Sequence, residues 1–242
     1  MILEPDPEIQ NDILRSYVDT YLKEEIQEEA VVRNIGTFLR FLSQAGFESG
    51  NILNYSNVAR QAGTTSTTVK EYFQVLEDTL IGSFLLPFSK SRRHRIGGHP
   101  KFYLFDNGIQ RTLTKRLTVA LEAGTPDYGN AFESWILQEV IRLSDYHQKD
   151  FEFSYHRTEA GAEVDLVIET PRNKFIAVEI KSSTNPVEAD FRSGFKSLRG
   201  ELGKKLGKSV ECICVCRAPF SRESESTLIL PWSEFFKKLI AE

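Results

Sequence analysis

Residues 174–184 read KFIAVEIKSST. Phe175, Ile176, Ala177, Val178 and Ile180 follow closely on one another, the composition of a strand covered on both faces. Among them stand Glu179 and Lys181, residue types that are rarely buried unless paired. Strand side chains alternate, so Glu179 and Lys181 point one way while Ile176, Val178 and Ile180 point the other. The preceding stretch, EVDLVIE (163–169), reads in the same manner. Val164, Leu166 and Ile168 take its core face, Glu163 and Asp165 the opposite one, and Glu169 lies at the far end in solvent. The turn residues TPRN (170–173) join the two strands as a hairpin.

That hairpin sets Asp165 beside Glu179 on one sheet face, with Lys181 next to them. Two carboxylates held close repel each other unless a cation lies between them. A divalent metal with oxygen ligands is a natural occupant, and Mg²⁺ typically takes one or two protein carboxylates plus waters. A structural ion-pair cluster without chemistry satisfies the same residues.

Working outward, AFESWILQEVIRL (131–143) has helical periodicity, and FEFSYHR (151–157) is a further strand. VEADFRSGFKSL (187–198) reads as a helix, VECICVC (210–216) as a strand and PWSEFFKKLI (231–240) as a terminal helix. The order α-β-β-β-α-β packs helices on a short mixed sheet. His156 and Arg157 end the first of these strands near the acidic face, where either could hold a phosphate. Cys212, Cys214 and Cys216 share one face of one strand, which suits small core residues in a reduced cytosol. Trp135 and Trp232 read as core or interface aromatics.

The first half has a different grammar. VVRNIGTFLRFLSQAGF carries an apolar helical stripe at Val32, Ile35, Phe38, Leu39 and Leu42. YSNVARQAG makes a short helix with Ser56 as N-cap and Gly63 as stop. A second helix follows, with Val69, Tyr72, Phe73, Leu76 and Leu80 on one side. Two helices joined by a tight Gly-containing turn form a helix-turn-helix. Two short apolar runs around SKSRRHRIGGHP (89–100) add a β-ribbon, completing a winged helix. Ser66, Thr67, Thr68 and Lys70 then face a nucleic-acid groove, while Lys90, Arg92, Arg93 and Arg95 of the wing meet phosphates. The alternative is a protein-contact or oligomerisation module with a solvated wing. Residues 121–129 read as a Gly/Pro-rich linker between an N-terminal domain (1–120) and a C-terminal one (130–242).

Bulk properties frame these readings. The chain has 242 residues, 40% hydrophobic and 26% charged, with a formal net charge of −4, so DNA binding must rest on local basic patches. The acidic, proline-broken N-terminus argues against a secretory signal, and no apolar run is long enough to span a bilayer, so a cytoplasmic protein is expected. GKKLGKS (203–209) has one residue too few for a phosphate-binding loop, and a helix precedes it where a strand should. No bound nucleotide is expected there.

Asp165 followed by Glu179-Ile180-Lys181, in this frame, resembles the PD-(D/E)XK nuclease superfamily, with Val164 where the motif name has Pro. The resemblance implies Mg²⁺ (or Mn²⁺) held by Asp165, Glu179, Glu133 from the first helix and the carbonyl of Ile180, with Lys181 positioning or activating water for phosphodiester hydrolysis. Six segments widen the likeness: YVDTYLKEEI, YSNVARQAGTTSTTVKEYFQVLEDT, KFYLFDNGI, NAFESWILQEV, YHRTEAGAEVDLVI and AVEIKSS. In this order they resemble the C-terminal region of a large family of prokaryotic AAA+-type ATPases, from about Tyr17 to the terminal helix. The fold class expected is α+β with α/β: an N-terminal winged helix-turn-helix domain and a C-terminal restriction-endonuclease-like αβββαβ domain. DNA and an AAA+ ATPase module, in cis or in trans, are the implied partners. Two other functions stay open: a non-catalytic binding or regulatory module, and a homodimer formed through apolar helices.

Overall fold

The computed structural model describes residues 4–21, 34–90 and 98–242. The chain divides into two compact units, Met1–Phe84 with Lys101–Ala120, and Leu85–Pro100 with Leu121–Glu242. Among the described residues no helix is long and apolar enough to cross a membrane.

In the first unit, α1 (Pro7–Ser16) opens on the Asp6 cap and a proline in its first turn, and continues as a π-helical turn over Tyr17–Tyr21. Then come α2 (Ile35–Glu48), α3 (Tyr55–Ala62) and α4 (Ser66–Asp78). Their caps are Asn34, Asn54 and Thr65, each accepting the amide N–H three residues on. Ser56, the expected cap of α3, is already inside the helix; Asn54 has the extended backbone that lets its side chain reach back to Asn57 N–H. Gly63 ends α3 in the left-handed conformation, φ +69°.

Phe38, Phe41, Val58, Ala62, Val69, Tyr72, Phe73 and Leu76 form the core of this unit. Phe41 meets Phe73 edge-on at 4.8 Å, and Phe38 meets Tyr72 at 4.9 Å. Arg40 braces the helices, donating to the Ala62 carbonyl and to the Thr37 hydroxyl, both at 3.0 Å. Leu80, expected on the buried side, is 82% exposed. Helix α4 stops at Asp78, Leu80 takes φ +60°, and Ile81 turns in to occupy the apolar position. Strand β1 (Gly82–Pro87), whose last three residues belong to the second unit, lies beside β2 (Lys101–Leu104), and α5 (Asn107–Leu113) follows under an Asp106 cap. Residues 91–97 of the expected wing, with Arg92, Arg93 and Arg95, lie outside the described residues.

The second unit is built on a mixed sheet. Helix α6 (Pro126–Tyr146) leads into β3 (Glu152–Arg157), β4 (Glu163–Glu169) and β5 (Phe175–Ile180). After a 3₁₀ turn come α7 (Arg192–Leu206), β6 (Glu211–Cys216), β7 (Arg222–Ser224), β8 (Thr227–Pro231) and α8 (Trp232–Ala241). The strand order is β1-β3-β4-β5-β6-β8-β7. The pairs β3–β4, β4–β5 and β7–β8 are antiparallel, and β1–β3, β5–β6 and β6–β8 are parallel.

Two differences from the sequence reading are local. The second half of the expected linker is helical, because Thr125 caps Tyr128 N–H and Pro126 suits the first helical turn. The β7–β8 hairpin was not expected: β7 is three residues long and polar, and Pro231 closes β8 before it caps α8.

Both faces of the sheet are covered. Phe175 and Ala177 of β5, Val164 and Val167 of β4 and the three cysteines of β6 pack with Phe191, Phe195, Leu198 and Leu202. Ile176, Val178 and Ile180, on the other side of β5, are buried as well. The cysteines are unbridged, and burial pushes the Cys212 thiol up to about 11, which leaves it inert.

Candidate active site

The site starts from an irregularity in β4. Ser154 pairs with Val167, but His156 pairs with Val164, so two steps along β3 face three along β4. The extra residue is a β-bulge around Asp165 and Leu166, a device that re-aims side chains. Val164 and Val167 consequently share the cluster beneath α7, which simple alternation excludes. Gly194 of α7 crosses close to this point: a Cβ there would lie 1.8 Å from the Glu163 carbonyl oxygen, so only glycine permits the approach.

The bulge turns Asp165 toward β5. Its Oδ2 accepts the Ile180 N–H at 2.8 Å, and the β4–β5 register sets it level with Glu179. Glu179 belongs to the face of Phe175 and Ala177, and it is 5% exposed. Its face is therefore packed, where the sequence reading placed the core on the opposite one. Lys181 Nζ lies 2.6 Å from Glu179 Oε1, while Glu179 Oε2 is buried without a hydrogen-bond partner.

Burial raises the Glu179 pKa; Lys181 opposes this, and the negative fields of Glu133 and Glu163 add to it. Burial works to lower the Lys181 pKa, but the carboxylates of Glu179 and Asp165 outweigh it, and the net direction is upward. Lys181 is thus held as an ammonium. Cys214, level with Glu179 on β6, closes the floor with a thiol kept protonated chiefly by its burial.

The other expected site residues divide clearly. Glu133, in the third turn of α6, contributes charge to the site. Its carboxylate lies near enough to raise the Glu179 pKa, the position the resemblance gives to a third metal ligand. The site fits Mg²⁺ in its sparser mode. The unpartnered oxygen of Glu179, the carboxylate of Asp165 and the Ile180 carbonyl are hard donors, with waters needed to complete the shell. Glu163 ion-pairs with Arg157 at 3.5 Å. His156 is no phosphate ligand: it is 3% exposed and faces α7, with Nε2 2.9 Å from Ser197 Oγ and Nδ1 3.3 Å from Glu201. Its burial lowers its pKa despite Glu201.

In the first unit, Ser66 opens α4 with its hydroxyl 3.2 Å from that of Ser56, and Thr68 is tied to the Thr65 cap. Thr67 is exposed, and Lys70 lies over the Tyr55 ring at 5.2 Å. Lys90, also exposed, belongs to the second unit. Sequence reasoning missed the bulge, Gly194, and a cation–π pair of Arg217 over Tyr128 at 5.1 Å. Unequal strand registers leave no compositional trace, and Arg217 is marked only by following an apolar strand.

Comparison with known proteins gives two family matches. Residues 3–119 match a domain of unknown function, DUF8612, and residues 128–235 match another, DUF4143. The uncharacterized protein Rv2008c of Mycobacterium tuberculosis and the uncharacterized protein Mb2031c of Mycobacterium bovis are each 26% identical over 185 residues. The match covers 76% of this chain but 41% of each relative, so the chain spans less than half their length. No solved structure matches it.

Proposed function

We propose that the second unit is a metal-dependent phosphodiester hydrolase of the PD-(D/E)XK kind. In this proposal the first unit carries the helix-turn-helix that presents DNA, the expected wing falls within Leu85–Pro100 of the second unit, and the chain works with an AAA+-type ATPase module. One observation carries the reading: a nearly inaccessible carboxylate, Glu179, with one oxygen on an ammonium and the other unpartnered, level with a second carboxylate. A buried polar atom left without a partner is costly, and function is a common reason for keeping one.

In this reading Glu179 and Asp165 hold a divalent cation, assisted by the Ile180 carbonyl. When bound, that cation would polarise a phosphoryl oxygen and lower the pKa of water. Lys181, whose acidic neighbours favour its ammonium form, serves in this reading as a hydrogen-bond donor. It donates hydrogen bonds that orient water and offset charge developing on the phosphate. Glu133 and Glu163 reinforce the negative field that attracts the cation. Asp165, locked to the β5 backbone, fixes the distance between the hairpin strands.

The test is cleavage of plasmid DNA with Mg²⁺ or Mn²⁺. The wild type should nick it, and Glu179→Gln and Lys181→Ala should each lose at least about a hundredfold. Equal rates in all three proteins, or no cleavage with either metal, would refute catalysis.

The closed Glu179–Lys181 pair favours a second reading: an inactive nuclease scaffold that binds nucleic acid or protein and regulates a partner ATPase. Thermal stability separates the two. A metal-binding site makes the melting temperature rise with Mn²⁺, whereas an inactive scaffold does not respond.

A further inference from the structure

The proposed site has a surplus of carboxylates, and its nearest ammonium is engaged with one of them. A phosphodiester approaching it needs a cation that is not already neutralised. The sheet supplies one at the carboxyl ends of its parallel strands, β5 and β6, where ligands commonly bind in α/β sheets. Arg217 is the first residue beyond β6. Its backbone N–H donates to the Ser183 carbonyl at 3.1 Å, two residues after Lys181, whose own N–H donates to Val215 at 2.9 Å. Both strand ends are thereby tied together, with the lysine and the arginine on neighbouring segments.

Above this junction lies the first turn of α6. A Cβ at Gly129 would be 3.8 Å from Ser182 Oγ, ordinary van der Waals contact, so the helix start sits directly over the Lys181–Ser183 segment. Tyr128 of that turn carries the Arg217 guanidinium on its ring face at 5.1 Å. Among the described residues that guanidinium meets an aromatic face and no carboxylate. An aromatic platform holds the planar fork in place while leaving its N–H edge open for bidentate contact with a phosphate. The N-terminus of α6 adds a favourable potential for an anion at the same spot.

We infer that Arg217, seated on Tyr128, is the substrate-binding residue that grips a backbone phosphate of the nucleic acid next to the one held at Glu179 and Lys181. The inference rests on the hydrolase reading for the identity of the substrate, and its test is built to fail separately. The probe is a short fluorescent DNA duplex, titrated in a Glu179→Gln background so that no cleavage intervenes. Adding Arg217→Gln should weaken binding about tenfold, the scale of one charge-assisted contact. It should also reduce the slope of log affinity against log salt by about one phosphate contact. Arg217→Lys should recover the salt slope but only part of the affinity, Tyr128→Phe should leave both unchanged, and Tyr128→Leu should weaken binding with the slope retained.

Equal melting temperatures of these variants exclude a folding defect, which would not alter the salt slope. Unchanged affinity and slope in Arg217→Gln would overturn the inference, as would a Glu179→Gln protein that binds no duplex. If wild type fails to cleave DNA but Arg217→Gln still loses affinity and slope, the hydrolase reading falls and the phosphate contact stands.

Discussion

The two units solve the problem of a core in opposite ways. The core of the first is rich in edge-on aromatic pairs, Phe38 with Tyr72, Phe41 with Phe73 and Phe73 with Phe102, and among the described residues the polar side chains buried in that unit are Thr37, Ser49 and Lys101, none of them a carboxylate. The second unit covers both sides of its sheet with apolar residues, Phe175, Phe191 and Phe195 among them, and then admits Asp165, Glu179 and His156 beside them. A hydrophobic cluster gains stability with each area buried, whereas a buried carboxylate costs stability unless something meets it. The first pattern is what a scaffold needs. The second retains groups that a scaffold would do better without.

If this contrast is real, the largest stability losses come from the first unit. Phe41→Ala removes a fully buried ring from its centre and should cost about 3–5 kcal/mol, measured as a lowered denaturation midpoint in urea. A loss below about 1 kcal/mol would show a core far looser than its edge-on rings imply.

Gly194→Ala tests the second unit where its packing meets its chemistry. The added methyl collides with the Glu163 carbonyl, so either α7 or the bulge must shift, at about 1–3 kcal/mol. Because the bulge aims Asp165, any cleavage activity should fall further than the stability loss explains. Proportionate losses would mean that the bulge plays no part in aiming it.

Replacing Glu179 and Lys181 together by methionine sharpens the contrast. Removing one partner leaves a charge stranded, but replacing both by apolar side chains of similar size is often neutral or stabilising. The double variant should therefore melt at or above the wild-type temperature while losing Mn²⁺-dependent stabilisation. A clear drop in its melting temperature would assign the pair a structural role.

The pH response supplies a gentler probe. His156 is held below its ordinary pKa by burial, so the folded state resists protonating it. Its contribution to stability is present above the unfolded value of about 6.5 and is lost as pH falls through the depressed folded value. Denaturant midpoints should decline as pH falls from about 6.5 toward the depressed folded value in the wild type, and less steeply in His156→Gln. Parallel profiles would count against the burial effect. Smallest of all, Thr65→Ala removes the α4 cap and should cost about 1 kcal/mol, read from the same urea midpoints.

Much of this molecule was legible in its sequence. Apolar periodicity marks α2 to α4, β3 to β6 and α8, and the period-2 spacing of the cysteines marks them as the core residues they are. The partnership of Asp165, Glu179 and Lys181 was also visible, since acids and a lysine on neighbouring buried strands need one another. The misses have local causes. Asn54 and Ser56 are both good caps, and backbone conformation chose between them. Leu80 continued an apolar stripe past the point where the helix stopped. The β7–β8 hairpin is too short and too polar on one strand to show a period.

What the sequence by itself determined was which segments alternate and which carry charge, because these depend on side-chain type and near neighbours. Tertiary structure alone decided where the charges point. Strict alternation sends Val164 and Val167 to opposite faces, and the unequal β3–β4 register brings them to one face and turns Asp165 onto the β5 backbone. The same long-range packing sets Gly194 against Glu163 and Arg217 over Tyr128, contacts between segments far apart in the chain. Local propensity carries no information about such meetings; they follow from how a whole sheet and its helices exclude water together.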